Sequence, residues 1–212
     1  MPNPSPLPIT AILLAAGLSR RMGQTNKLLL PWQGKALVQH TLDQLLAANF
    51  AQVVVVLGHE AERVGEALQG YQHRVQMMHN HDYARGMTSS IQAGWQAVPP
   101  SSLGAMICLA DMPWLRAEDY QHLAQQFLAA MEQDPETILI PDFAGTPGNP
   151  VTFSRWYREA WTGYTEPEGG KGLVRQYARH RVFAAMPAAK GQQDLDTPAD
   201  WQRELGNDHP AH

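Results

Sequence analysis

Leu13 to Lys27 reads LLAAGLSRRMGQTNK. The apolar run that begins at Ile12 gives way to Gly17, and Arg20, Arg21 and Lys27 follow around a second glycine, Gly23. A strand running into an anion-binding loop has this pattern. Glycine lets the backbone approach a ligand, successive N–H groups then face phosphate oxygens, and Arg and Lys neutralise their charge. The Gly-Lys-Ser/Thr ending of a Walker A loop is missing, and so is the GxGxxG spacing of a dinucleotide fold. A surface loop of the same composition is the competing reading.

Bulk properties narrow the partners. At 212 residues the chain suits one domain with a substantial core, and 44% hydrophobic with 17% charged residues is ordinary globular composition. A formal charge of −4 without a basic run argues against nucleic acid as a partner, while a small phosphorylated ligand needs only a local cation cluster. The single cysteine, Cys108, rules out an internal disulfide and fits a reducing compartment. The opening MPNPSPLP lacks the charged and apolar regions of a signal peptide. No apolar run reaches the ~18 residues of a membrane span. The expected location is cytoplasmic, away from the membrane.

Residues 1–7 are proline-rich and read as a disordered arm, residues 206–212 as a disordered tail, and residues 8–205 as a single domain. Within that domain, strand-like runs occur at Ile9 to Ala15, Gln52 to Leu57, Val75 to Met78, Ala105 to Leu109, Thr137 to Ile140 and Val182 to Met186. Most are continuously aliphatic, as in strands covered on both faces. Val38, Leu42, Leu45 and Leu46 recur at helical spacing, as do Tyr120, Leu123, Phe127, Leu128 and Met131. Alternation of this kind predicts an α/β fold, a three-layer sandwich around a mostly parallel sheet. Ligands bind such sheets beyond the carboxyl ends of the strands. Four loops should therefore meet on one rim: Gly17 to Lys27, Gly58-His59-Glu60, His79 to Ile91, and Ala110 to Pro113. In the third, Asn80, Gly86 and Ser89 offer a turn, a close approach and an N-cap.

Asp111 follows an apolar run and is the strongest single candidate for chemistry. A carboxylate there suits Mg²⁺, a hard cation that takes one or two carboxylates together with substrate phosphates. An N-cap aspartate is the plainer alternative. His79 and His81 have strand spacing but no third ligand nearby to complete a zinc site. Cys108, inside an apolar run, reads as core.

Ala15, Ala16, Gly17, Ser19, Arg21, Met22, Gly23 and Lys27 match a GxSxRMGxxxK loop. In this the chain resembles the MobA-like nucleotidyltransferases, the family of the molybdenum cofactor cytidylyltransferases and guanylyltransferases. Further matches follow in family order. CLADMP around Asp111 resembles the magnesium-binding aspartate motif, GTPGNPVTF (Gly145 to Phe153) the GxPxxPV element, and DLDTPADW (Asp194 to Trp201) the DxDTPxD signature. Thr197 with Pro198 also reads as a helix start. EGGKGLVRQY (Glu168 to Tyr177) departs from the pattern, because Gly169-Gly170-Lys171-Gly172 stands where the family usually has Gly-Asp-x-Gly.

The resemblance implies a nucleotide-diphospho-sugar-transferase-like, Rossmann-like fold. It also implies transfer of CMP from CTP to molybdenum-bearing molybdopterin, with Mg²⁺ as cofactor and a molybdenum hydroxylase as recipient of the product. Arg21, Lys27 and Asp111 would be catalytic. Ala15, Ala16, Gly17, Ser19, Met22, Gly23, Asn80, Gly86 and Ser89 would bind the nucleotide. Asp111 and Asp196 would hold the metal, with Asp194 as the alternative to Asp196. Gly148, Asn149, Pro150 and Lys171 would face the second substrate, and Arg175 could join Lys171 on a phosphate. Leu14-Ala15-Ala16-Gly17 resembles the cytidylyltransferases, where guanylyltransferases tend to carry Leu-Ala-Gly-Gly. The rival readings are the same chemistry with GTP or with another phosphorylated acceptor, a cofactor chaperone, and a nucleotide-binding regulator.

Overall fold

The structure is a computed structural model that describes residues 5–19, 25–167, 169–187 and 201. Arg20, Arg21, Met22, Gly23, Asp194 and Asp196, with Thr197 and Pro198, lie outside the described residues, as do residues 1–4 and 206–212.

Strand β1 (Leu7–Ala15) is followed by the short antiparallel pair β2 (Pro31–Trp32) and β3 (Lys35–Ala36), then by helix α1 (Leu37–Ala47). Next come β4 (Phe50–Leu57), α2 (Ala61–Ala67), β5 (Gln76–His79), α3 (Met87–Gln96), β6 (Gly104–Leu109) and α4 (Ala117–Met131). The last part holds β7 (Ile138–Phe143), β8 (Thr146–Pro147), β9 (Val151–Ser154), α5 (Arg158–Thr162), α6 (Lys171–Gln176) and β10 (Arg181–Met186). The main sheet runs β10-β7-β9-β6-β1-β4-β5, with β8 paired to the end of β7.

Pairs β1/β4, β1/β6, β4/β5 and β7/β10 are parallel. Strand β9 runs against its neighbours β6 and β7, and the two-residue β8 runs against β7. The expected mostly parallel sheet is therefore present. The reversed strand β9 begins within GTPGNPVTF and ends one residue beyond it, and its four residues carry no mark of direction in the sequence.

Continuous apolar runs follow from burial on both faces. Along β1, Ile9, Ala11, Leu13 and Ala15 join the core beneath α1 and α4, while Ile12 and Leu14 join the core beneath α3, α5 and α6. Each fully buried aliphatic side chain contributes roughly 1.5–3 kcal/mol, so a polar residue anywhere in the run would be costly. Chain order places β1 inside the sheet, between β6 and β4. Its crossover through α1 leads to β4 on one side, and the later crossover through α3 leads to β6 on the other. This reversal of strand order opens a crevice beyond the ends of β1 and β6, where open α/β sheets bind ligands. Among the described residues no helix is long and apolar enough to cross a membrane.

Candidate active site

A cleft of about 410 Å³ opens in that crevice. Leu14, Ala16, Gly17, Leu18 and Ser19 line it from the end of β1, and Lys27 and Leu28 from the turn that follows. Tyr83, Gly86, Met87 and Ser90 line it from the start of α3, and Leu109, Ala110 and Asp111 from the end of β6. Three of the four expected loops thus form the rim. The fourth, Gly58-His59-Glu60, stands behind it, where the His59 N–H donates to Ala16 O at 3.3 Å.

Lys27 is placed by local structure. The Asn26 carboxamide oxygen accepts the Leu28 N–H at 3.1 Å and caps a single 3-10 turn, Lys27–Leu29, which buried Leu28 anchors. The Lys27 N–H donates to Ser19 Oγ at 3.3 Å, drawing together the two described ends of the Gly17 to Lys27 loop. Ser19 sits at φ 47°, a left-handed conformation that turns the chain away from the strand. The Lys27 ammonium then meets Asp111 Oδ2 at 2.5 Å, with 14% and 25% of the two side chains exposed.

Helix α1 holds the Asp111 loop from below. Thr41 Oγ1 donates to Ala110 O at 3.1 Å, His40 Nε2 bonds to Pro113 O at 3.2 Å, and Gln44 Oε1 accepts the Ala117 N–H at 3.2 Å. Burial lowers the His40 pKa, so the neutral ring with a proton on Nε2 suits the bond to the Pro113 carbonyl. The N-cap alternative for Asp111 fails, because α4 begins only at Ala117 with Arg116 as its N-cap. Trp114 packs edge-on against Trp32 at 4.9 Å between ring centroids. Trp32 in turn contacts buried Trp201, the last residue of DLDTPADW, at 5.6 Å.

The other expected site residues separate into groups. Ala16, Gly17, Ser19 and Gly86 line the cleft, whereas the Ala15 side chain belongs to the opposite core face. Asn80 is a buried brace: its Nδ2 donates to Ser89 Oγ at 2.9 Å and Ser90 Oγ at 3.0 Å, and its Oδ1 accepts the Asp82 N–H at 3.0 Å. Ser89 is not the N-cap. Gly86 occupies that position, and Ser89 Oγ, three residues into the turn, donates to Gly86 O at 2.8 Å. Gly86 has φ +114°, and a Cβ there would lie 2.5 Å from Pro167 O, so glycine alone permits this start to α3.

Gly148, Asn149 and Pro150 do not line the cleft. They precede Val151, which pairs with Ile107 near the end of β6, so their loop rises on the same rim. Lys171 is exposed at the start of α6. The segment before it is docked on α3, since Thr88 Oγ1 donates to Glu166 O and accepts the Gly169 N–H at 3.1 Å. The departure at Gly170 has a packing reason. A Cβ at this position would lie 3.0 Å from the Phe153 ring and 3.3 Å from Trp161, where an aspartate would press its carboxylate against two aromatic rings.

Cys108 is fully buried, and burial pushes its thiol pKa up, which leaves an inert core residue. The His79 and His81 rings lie 4.1 Å apart. Among the described residues no three His, Cys, Asp or Glu groups come together as a metal site. Asp111 still fits a hard cation of the Mg²⁺ type. Its Oδ2 takes Lys27 while its Oδ1 makes no hydrogen bond among the described residues, and such ions complete their coordination with substrate phosphate and water.

Sequence reading missed Tyr83, Met87 and Ser90. The available signal was helical spacing, because Ser90 lies one turn beyond Gly86 on the same face of α3.

Comparison with known proteins bears on the family and the fold. The nicotine blue oxidoreductase of Paenarthrobacter nicotinovorans is 36% identical over 107 residues, covering 50% of this chain and 51% of that protein, about half its length. The molybdenum cofactor cytidylyltransferase of Escherichia coli K12 is 28% identical over 147 residues, covering 69% of this chain and 70% of that one. The purine catabolism protein PucB of Bacillus subtilis is 29% identical over 201 residues, or 91% and 94% of the two chains. Among solved structures, Rv0371c of Mycobacterium tuberculosis in complex with manganese superposes with a TM-score of 0.74 at 25% identity, covering 93% of this chain and 98% of that one. The fold is thus that of the nucleotidyltransferases of the nucleotide-diphospho-sugar transferase type. The model of the MobA-like NTP transferase domain matches residues 11–182, from within β1 to the second residue of β10, and the chain therefore belongs to that family of nucleotidyltransferases.

Proposed function

We propose that the protein transfers CMP from CTP to molybdenum-bearing molybdopterin, giving the molybdopterin cytosine dinucleotide and pyrophosphate. The observation that carries this reading is the two-sided chemistry of the cleft. Lys27, Asp111 and the Gly17 to Ser19 backbone supply charge and polarity, while Leu14, Ala16, Tyr83 and Met87 supply apolar wall. A nucleoside triphosphate has the same division. The acceptor is drawn from the cytidylyltransferase relative, and the cytosine base from Ala16 in the Leu14 to Gly17 stretch.

The attacking group is the terminal phosphate of the acceptor, already largely anionic at pH 7 because its second pKa is about 6. Its oxygen forms a bond to the α-phosphorus of CTP as the bond to the β-phosphate oxygen breaks, and pyrophosphate departs. No strong general base is needed, and no His or Cys stands among the described lining residues. The obstacle is repulsion between two polyanions, so the work is positioning and charge neutralisation. Lys27, with Arg21, engages the triphosphate. Backbone amides of the Ala16 to Gly23 loop cradle it, and Ser19 holds the loop closed. Asp111, together with Asp196 or Asp194, would hold Mg²⁺, which supplies neutralising charge for the phosphates when bound. Gly148, Asn149, Pro150 and Lys171 face the acceptor, and a molybdenum hydroxylase takes the product.

Pyrophosphate release, measured with molybdenum-bearing molybdopterin and either CTP or GTP, tests the proposal. Faster release with CTP is expected. A preference for GTP overturns the choice of base, and no release with either nucleotide overturns the transfer reaction.

A further inference from the structure

We propose that Tyr83 is the platform on which the nucleotide base stacks, and that Gly58, outside the cleft, sets its position. The inference rests on the cleft being a nucleotide site. With the triphosphate drawn to Lys27, the base must take the apolar wall, and Tyr83 is the one aromatic ring among the described lining residues. Bases stack on such rings whatever their edge pattern, so the ring supplies affinity and the neighbouring polar groups supply choice.

The ring is held from behind. Tyr83 opens a 3-10 turn, Tyr83–Arg85, closed by the Gly86 N–H on Tyr83 O at 3.2 Å and preceded by the Asn80 brace on Asp82. A Cβ at Gly58 would lie 2.6 Å from Tyr83 Cβ, 3.0 Å from Tyr83 Cγ and 2.7 Å from Ala16 Cβ. The His59 ring flanks Tyr83 at 5.9 Å between centroids, tilted by 48°. The end of β4 is thus the back of the base wall. Cβ atoms cannot turn away by changing rotamer, so any side chain at position 58 must move the backbone carrying Tyr83 or Ala16. This gives the Gly58-His59-Glu60 loop, which carries no chemistry of its own, a part in shaping the base subsite.

Calorimetric titration of the whole chain with Mg²⁺ and either CTP or inorganic tripolyphosphate, without acceptor, tests this. Tyr83→Ala should weaken CTP binding by about 10-fold or more, and Tyr83→Phe by less than about twofold, since the ring face carries the effect. Gly58→Ala should weaken CTP in the same direction. Tripolyphosphate, which has no base, should bind the wild type and both Tyr83 variants alike, while Gly58→Ala should lose more affinity for CTP than for tripolyphosphate; an unchanged CTP affinity in Gly58→Ala removes Gly58 from the base subsite. If Tyr83→Ala binds CTP as the wild type does, or loses tripolyphosphate to the same degree, the platform is refuted while the nucleotide site stands. A wild type that binds tripolyphosphate but not CTP overturns the nucleotide reading and this inference together.

Discussion

Asp111→Asn keeps the size of the side chain but removes the charge that faces Lys27 and suits a metal. Turnover should fall by about 100-fold or more, with thermal unfolding little changed. Steady-state rates at saturating Mg²⁺ check this, and an unaltered rate would remove Asp111 from the chemistry. Lys27→Ala should lower kcat/KM for CTP more than it lowers stability, although the half-buried carboxylate opposite loses its cation. Parallel measurement of kcat/KM and Tm separates the two effects. At Ala16 the methyl group is nearly buried between the cleft and Gly58. Ala16→Gly should narrow a preference for CTP over GTP without abolishing it, because a methyl-sized difference is worth only ~1–3 kcal/mol. Lys27 and Asp111 were legible as charges beside apolar runs. Tyr83 and Ser90 were not, since Tyr and Ser near a helix start are ordinary and only the seating of α3 over the strand ends turns them to the cleft. The neighbours Ala15 and Ala16 show a second limit. They point to opposite faces of the sheet, and sequence alone does not say which face the cleft opens on.

Helix α1 was legible as an amphipathic helix, but its polar grip on the Asp111 loop was not, because it joins residues far apart in the chain. Thr41→Val should cost about 1–3 kcal/mol, since it leaves the buried Ala110 carbonyl without its donor. Urea unfolding measures the loss, and Thr41→Ser should recover most of it. His40 adds a pH dependence. Burial holds its pKa below the ordinary 6.5, so the unfolded chain binds the proton more readily than the folded one. Its contribution to stability is therefore complete above about pH 6.5 and is lost as pH falls towards the lowered folded value. Unfolding midpoints between pH 7.5 and 5 should decline, and His40→Gln should flatten that part of the curve; an unchanged slope would mean that other groups carry it.

Across the whole molecule, the parallel strands and their crossovers could be read from apolar runs, because burial on both faces demands uninterrupted hydrophobicity. The reversed strand β9 could not, as its direction is set by its place between β6 and β7. That strand brings the Gly148 to Pro150 loop to the rim, beside the carboxyl end of β6. Trp201 against Trp32 likewise brings the end of the DLDTPADW stretch under the Asp111 loop. The reaction proposed for the cleft joins a cytidylyl group to a phosphorylated acceptor. The direct measurement is incubation of the whole chain with Mg²⁺, molybdenum-bearing molybdopterin and CTP labelled at the α-phosphate, following where the label goes. Label should appear in the acceptor, with one pyrophosphate released for each label transferred, and Asp111→Asn should stop both. Label that stays in CTP, or leaves only as free CMP whether or not acceptor is present, would contradict the proposed reaction.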